Sequence, residues 1–547
     1  MKNYKLTVLF VLPLLLLGCY QPDKADMIIH NAKIYTCDES FSIQQAIAIK
    51  DGKILQVGPN REILNGYDCS NIIDGALRPI YPGFYDAHCH FWGYANTLRE
   101  VDLNGTKSFN EVISRIIAFQ KSNPTAWITG RGWDQNLWDD KSFPTNDSLN
   151  KRFPNTPLLI RRVDGHAALA NQKALELAKI DANTQVEGGE ILMENQKLTG
   201  LLIDNAVTLV VDKIPTVNAT EKLKYLQIAQ TKLFEQGLTS INDAGVTAAE
   251  RIQFIQWYQN GDLKIKDYMM LFPTPENLEY ALKHGSYDSL GLHINSFKLI
   301  ADGALGSRGA CLLNPYSDKH NHFGSLLKNE ESMSKIAEIA KNINFQLNTH
   351  CIGDSANRTL LKIYQQTIGQ ELDHRWKIEH AQIIDSVDMA FFQYLGVIPS
   401  VQPTHYTSDK DWIETRLGKD RLKGAYAYNT LFNQAGLIVL GTDFPIENIS
   451  VLETFYAAVT RRKKDEPVNI NEPKDKECLS RRAALMGITY WPAFSNFEED
   501  KKGSLATGKD ADFVILTKDI MEVPEDEILK TFIFQTYLNG EVVYNAE

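Results

Sequence analysis

Pro82-Gly83-Phe84-Tyr85-Asp86-Ala87-His88-Cys89-His90 is an apolar run that ends in His-x-His. On a strand, alternate side chains share a face, so His88 and His90 point one way and Cys89 the other. Two imidazoles converging where a strand ends form half of a metal site. The pair alone is weak evidence and more readily read as two incidental histidines, so the rest of the chain has to decide.

Apolar runs that read as buried strands recur near residues 79–86, 238–242, 266–272, 294–300, 343–349, 375–379, 396–401 and 437–441. Amphipathic helical patterns lie between them, as at 221–236, 333–342 and 357–367. Buried strands alternating with helices predict a parallel sheet covered by helices, and eight such units close a (β/α)₈ TIM barrel in the α/β class. Three later strands end like the first. Asn348-Thr349-His350, Lys377-Ile378-Glu379-His380 and Val439-Leu440-Gly441-Thr442-Asp443 each place an imidazole or carboxylate where a strand leaves the barrel. Four histidines and an aspartate at strand ends are a specific pattern for one metal centre.

Both chain ends are β-rich. Residues 27–58 alternate apolar and polar, with Asp51-Gly52 as a hairpin signal. Asp512-Phe513-Val514-Ile515-Leu516 and Val542-Val543-Tyr544 read as strands around the Asn539-Gly540 turn. The expected organisation is a targeting segment at 1–19, a small β-sandwich shared by 20–78 and 490–547, and a barrel over 79–489. An insertion at about 94–220 follows the first barrel strand and is expected to roof the active-site face.

With His88, His90, His350, His380 and Asp443 in view, the chain resembles the amidohydrolase superfamily, whose ligands come from strands one, five, six and eight. The flanks Ile72-Ile73-Asp74-Gly75 and Gly503-Ser504-Leu505-Ala506-Thr507-Gly508-Lys509-Asp510-Ala511-Asp512 resemble that superfamily's entry into the barrel and return to the sandwich. Phe297-Lys298-Leu299-Ile300-Ala301-Asp302-Gly303, His350-Cys351-Ile352-Gly353-Asp354 and Ile378-Glu379-His380-Ala381-Gln382 are similar to motifs of amidohydrolase family 3, which includes N-substituted formamide deformylase-like enzymes. Cys351 departs from the alanine more usual there, without removing a ligand.

The resemblance implies two divalent metal ions, with zinc favoured by imidazole and oxygen ligands. It implies that Lys298 is carboxylated and bridges them, since a free ammonium has no lone pair to offer. The alternative is a lysine that pairs with Asp302 or another carboxylate. The implied reaction is hydrolysis of a non-peptide C–N bond in an amide, N-acyl or N-formyl compound by a metal-activated hydroxide. Asp443 would carry the proton to the leaving amine, with His380 beside it.

His166, in Val163-Asp164-Gly165-His166, resembles a further family motif and is expected either to reach the substrate carbonyl or to cap a helix. Arg308 is expected to bind an anionic substrate group or to sit in a structural ion pair. Gln402 and His405, after the seventh strand, are expected to line the pocket. Trp92, together with Trp127, Trp133 and Trp138, is read either as an aromatic pocket or as ordinary core.

Lys2 and Lys5 precede an apolar run from Leu6 to Leu17 that closes on Gly18-Cys19. This reads as a secretory signal, and Leu16-Leu17-Gly18-Cys19 resembles a bacterial lipobox with Cys19 lipidated. The expectation is an exported lipoprotein whose membrane contact is that lipid alone. A net charge of −11 and the lack of a basic stripe argue against nucleic-acid binding. Self-association is left open. Two other functions stay in view: a one-metal heterocycle deaminase, and a metal-binding surface lipoprotein without activity.

Overall fold

Eight parallel strands follow one another in chain order: β1 (Phe84–Cys89), β2 (Leu238–Val246), β3 (Lys266–Leu271), β4 (Leu292–Ile300), β5 (Gln346–Cys351), β6 (Lys377–His380), β7 (Ile398–Val401) and β8 (Val439–Leu440). The computed structural model describes residues 23–162, 167–186, 189–306, 308–369, 372–467 and 474–546. All seven neighbouring pairs are parallel, and the register sets His350 beside Glu379 and Cys351 beside His380. Helices cover the sheet, among them Ala219–Glu235, Glu330–Asn342 and Asp354–Ile368. Asn218 and Asn329 cap the first two by accepting from backbone N–H groups that would otherwise lack partners.

The barrel closes through β8 and β1. The Asp443 N–H donates to the His88 carbonyl at 2.7 Å, and the His90 N–H donates to the Phe444 carbonyl at 2.8 Å. The buried Asp86 carboxylate accepts from the Thr442 N–H at 3.0 Å and from its hydroxyl at 2.7 Å. The strands approach so closely that a Cβ on Gly441 would lie 2.5 Å from the His88 nitrogen. Only glycine leaves room there.

The other end of the barrel is plugged. Asn496 donates to the Tyr85 hydroxyl at 2.6 Å and to Asn242 Oδ1 at 2.7 Å, and it accepts from the buried Lys377. Glu498 accepts from the Tyr85 hydroxyl at 2.8 Å and pairs with Lys502 at 3.0 Å. The His-x-His lies at the opposite, strand C-terminal face, where barrels of this kind carry their sites.

The apolar run read as one strand at 79–86 splits at Gly83. Pro79–Pro82 pairs with Lys33–Tyr35 and Phe513–Leu516 in a six-stranded sheet, and Phe84 starts the barrel. A Cβ on Gly83 would sit 2.2 Å from Thr239 Oγ1, so the change of partners needs glycine. That sheet joins both chain ends. It faces a four-stranded sheet of Met27–His30, Ala46–Lys50, Lys53–Gly58 and Ile72–Asp74 across a core containing Ile29, Ile34, Ile49, Ile80, Phe513 and Ile515. Asp51 and Gly52 both have positive φ, as do Asn539 and Gly540, which suits tight hairpin turns.

Between β1 and β2 the chain builds a separate six-stranded sheet, from Val101–Asp102 to Lys197–Asp204. Trp133 and Trp138 are buried in its core, and Trp127 packs against a neighbouring cluster. These tryptophans are structural.

Candidate metal centre at the barrel mouth

His88 is fully buried, and its two nitrogens have different partners. Nδ1 lies 2.5 Å from Glu379 Oε2. With Nδ1–H donating to that carboxylate, Nε2 becomes the acceptor, and it lies 2.8 Å from Lys298 Nζ and 3.7 Å from Asp443 Oδ1. A carboxylate behind a histidine in this way sets its tautomer and aims its lone pair. His380 is oriented by the same device, with its Nδ1 2.7 Å from Gln402 Oε1.

Asp443 stands between two groups of imidazoles. Its Oδ1 is 3.1 Å from His90 Nε2, and its Oδ2 is 3.5 Å from His405 Nε2. The ligand atoms of His88, His90 and Asp443 lie within 4.8 Å of one another, and so do those of His380, His405 and Asp443. The His350 and His380 rings meet at 4.5 Å between centroids. Among the described residues, the buried atoms Asp443 Oδ1, His350 Nε2 and His405 Nε2 make no hydrogen bond, although His350 Nε2 lies 3.7 Å from Asp302 Oδ1. Unpaired buried polar atoms are costly unless something fills the space between them. Imidazole and carboxylate donors converging on one space suit a borderline divalent cation such as zinc, so the residues present fit that group.

Electrostatics reinforces this arrangement. Burial, followed by the nearby Lys298, pushes His350 down to about 3 and lowers His88. Burial and the neighbouring His350 hold His380 well below its ordinary value. For His88, His350 and His380 this favours the neutral imidazole, the form that ligates metals. Burial opposes the charge on Asp443, but the surrounding histidines outweigh it and hold the carboxyl well below the usual range. Burial also lowers Lys298, which moves its amine toward the form that carries a lone pair.

The backbone at these ligands is unusual. His380, Ala381 and Asp443 have φ of 73°, 41° and 60°, in the left-handed region that non-glycine residues rarely enter. At His380 this turns the ring toward the same space as Glu379, although the two are adjacent on a strand and would otherwise point apart.

A cavity of about 420 Å³ opens onto these groups and is lined by His90, Lys298, His350, His380, His405 and Asp443. Phe272, Leu305, Trp412 and Ile446 give it apolar walls. His405 lines it as the sequence suggests and also joins the metal-ligating cluster. Gln402 departs from the expectation, and Arg308 and Trp92 each take the structural one of their two readings. Gln402 is buried behind His380 and orients it rather than forming the wall. Arg308 binds Asp318 through Nε at 3.1 Å and Nη2 at 2.8 Å, so it is a structural ion pair away from the cavity. Trp92 packs under Lys222, whose Nζ is 4.3 Å from the ring centroid, and does not line the cavity. Lys298 contacts His88 rather than Asp302, whose carboxylate accepts from the N–H groups of Cys311, Ile352 and Gly353 at 2.8–2.9 Å. His166 and Cys19 lie outside the described residues.

The insertion does not roof this cavity among the described residues. Its Asn104 and Arg131 border a neighbouring cleft, which shares Ile446 and Glu447 with the metal pocket. Sequence reasoning missed Glu379 and Asp86, although Glu379 stands next to a ligand and Asp86 lies two residues before one.

A model of the amidohydrolase family matches residues 73–544. The chain is 30% identical over 540 residues to LONG AFTER FAR-RED 3 of Arabidopsis thaliana, covering 95% of this chain and 92% of that protein. It is 24% identical over 544 residues to N-substituted formamide deformylase of Arthrobacter pascens, covering 95% and 98%. Among solved structures, an uncharacterized metal-dependent hydrolase from Pyrococcus horikoshii OT3 superposes with a TM-score of 0.76 at 28% identity, covering 91% of this chain and 99% of that one. Barrel, ligand cluster and family match agree: the chain belongs to the amidohydrolase family and is a metal-dependent hydrolase of that superfamily.

Proposed function

We propose that this hydrolase cleaves a non-peptide C–N bond in a small amide, N-acyl or N-formyl compound and releases an amine. The observation that carries the reading is Asp443, an ionised carboxylate shared by two imidazole groups at the strand C-terminal mouth of the barrel. When bound there, divalent cations supply activation of water and polarisation of the scissile carbonyl. In this reading His88, His90 and Asp443 would hold one ion. His350 and His380 would help hold a second, with His405 alongside, and Lys298, carboxylated on its amine, would offer an anionic oxygen ligand. Lys298 is buried, has a lowered pKa and reaches His88 Nε2, which supports its place in this cluster.

Asp443 accepts a proton from the attacking water and passes it to the departing nitrogen. The surrounding histidines hold it ionised, so it carries no proton of its own at the outset. Glu379 and Gln402 hold His88 and His380 in one tautomer throughout. Phe272 and Trp412 keep bulk water off the reacting centre and contact the apolar part of the substrate.

The N-terminal lipobox supports an exported protein anchored through Cys19 by lipid alone, and the net charge of −11 supports a small-molecule substrate rather than a nucleic acid. The test is a panel of N-formyl, N-acyl and cyclic amides, with amine release followed for zinc-loaded and chelator-treated protein. Release that needs the metal and is lost in Asp443→Asn supports the reading. Metal-dependent release of ammonia from heterocycles, with amides untouched, would replace it with a deaminase.

A further inference from the structure

Asp409 stands in the wall of the metal pocket with half of its carboxylate uncommitted. Its Oδ2 accepts from the Tyr426 hydroxyl at 2.5 Å and from Gln382 Nε2 at 3.4 Å. Among the described residues, no N–H or O–H donates to Oδ1, and no lysine or arginine pairs with either oxygen. The adjacent Lys410 turns to Glu466 instead. Burial pushes the Asp409 carboxyl up, while the Tyr426 hydroxyl and the His405 ring pull it back, and Glu447 adds charge of the same sign. Glu447 lines the same pocket, its Oε1 accepting from Ser408 at 2.6 Å.

The remaining walls complete a recognisable chemistry. Phe272 presents aromatic surface, Trp412 adds an indole with the Asp318-paired Arg416 guanidinium 5.5 Å from its ring centroid, and the described lining contains no arginine. Its single lysine, Lys298, belongs to the ligand cluster. Arg308, the expected anchor for an anion, is held by Asp318 outside the cavity. A half-buried carboxylate without a counter-charge is unfavourable alone and becomes favourable when a cation arrives. A cationic nitrogen placed here gains a charge-assisted contact with the carboxylate and attraction to aromatic faces.

We infer that Asp409 is a specificity-determining residue, which receives a positively charged nitrogen carried by the substrate apart from the bond that is cleaved. The compounds favoured by this site are amides with an ammonium-type or amidinium-type substituent, and anionic compounds are disfavoured. The inference rests on the hydrolase reading for the reaction but not for the binding.

The test is direct binding to the full metal-loaded chain in detergent, by calorimetry, using choline and its neutral carbon isostere dimethylbutanol. Neither has a hydrolysable C–N bond, and the choline nitrogen has no lone pair for a metal. Choline is expected to bind about tenfold tighter or more. Asp409→Asn keeps the shape and is expected to erase that advantage, while Asp409→Glu restores it. Equal affinity for the two probes, undetectable binding of both, or an advantage that survives in a folded Asp409→Asn protein would overturn the inference. The wild-type comparison decides the matter even if a variant fails to fold. If no amide is cleaved but choline keeps its advantage, the hydrolase reading fails and this one stands. If amides are cleaved but the probes bind alike, this one fails alone.

Discussion

The Asp443 N–H donates to the His88 carbonyl at 2.7 Å, so the last barrel strand and the first are locked in register by main chain at the residues that carry the ligands. Side-chain geometry at the site therefore depends on barrel closure. A change that loosens β8 against β1 moves a carboxylate relative to two imidazoles, and sites of this kind tolerate little displacement.

Gly441→Ala tests that dependence. The added methyl would sit 2.5 Å from the His88 nitrogen and 2.9 Å from an Asp86 oxygen. The expected cost is about 1–3 kcal/mol of stability from overpacking. Urea unfolding should show it, together with weaker metal retention on dialysis against a chelator.

Glu379→Gln removes the charge behind His88 but keeps its size. His88 then loses the carboxylate that fixes its Nδ1–H tautomer. Metal affinity is expected to fall about 10–100-fold. Competition with a chromophoric chelator measures it, and an unchanged affinity would show that Glu379 does not orient the ligand.

Asp443→Asn should lower kcat by about 10²–10⁴-fold, because the amide cannot carry a proton between water and amine. Much of the metal should remain bound through the histidines. Steady-state kinetics on any cleaved amide, paired with metal analysis, separates a lost proton carrier from a lost ion.

Acid stability has a local origin at the barrel floor. Burial opposes the charge on Glu498, but Lys502 and His293 outweigh it and hold the carboxyl well below its ordinary 4.5. The unfolded chain then binds the proton more readily than the folded one. The stabilisation is fully present above pH 4.5 and is lost as pH falls below that value toward the lower folded pKa. Glu498→Gln is expected to be less stable at neutral pH and to lose less stability than wild type between neutral pH and the acid limb, as denaturant titrations at several pH values would show.

Much of this site is legible in the chain because it obeys strand periodicity. His88 and His90 share a face, and His350 and Asp443 end apolar strands, so alternation alone points them to one mouth. Glu379 escapes the same logic. Beside His380 on a strand it should point away, and only the left-handed backbone at His380 brings both to the site. Arg308 could be read as an anion anchor or a structural ion pair, because its partner, Asp318, lies ten residues on in irregular chain where no period applies. The split at Gly83 was hidden because the sandwich strand and the barrel strand are both apolar and separated by one residue. Asp409 carries no motif, and its meaning depends on which charges are absent around it.

His88, His90, His350, His380 and Asp443 are proposed to hold catalytic divalent ions beside Lys298. Metal analysis of the purified full chain tests this most directly, with wild type compared to Lys298→Ala and to a His88→Ala, His350→Ala double variant. Wild type is expected to carry close to two zinc equivalents, Lys298→Ala to lose metal and the double variant to lose nearly all of it. Wild-type protein that takes up no stoichiometric metal, or a double variant that keeps it all, would show that these residues do not form the metal centre.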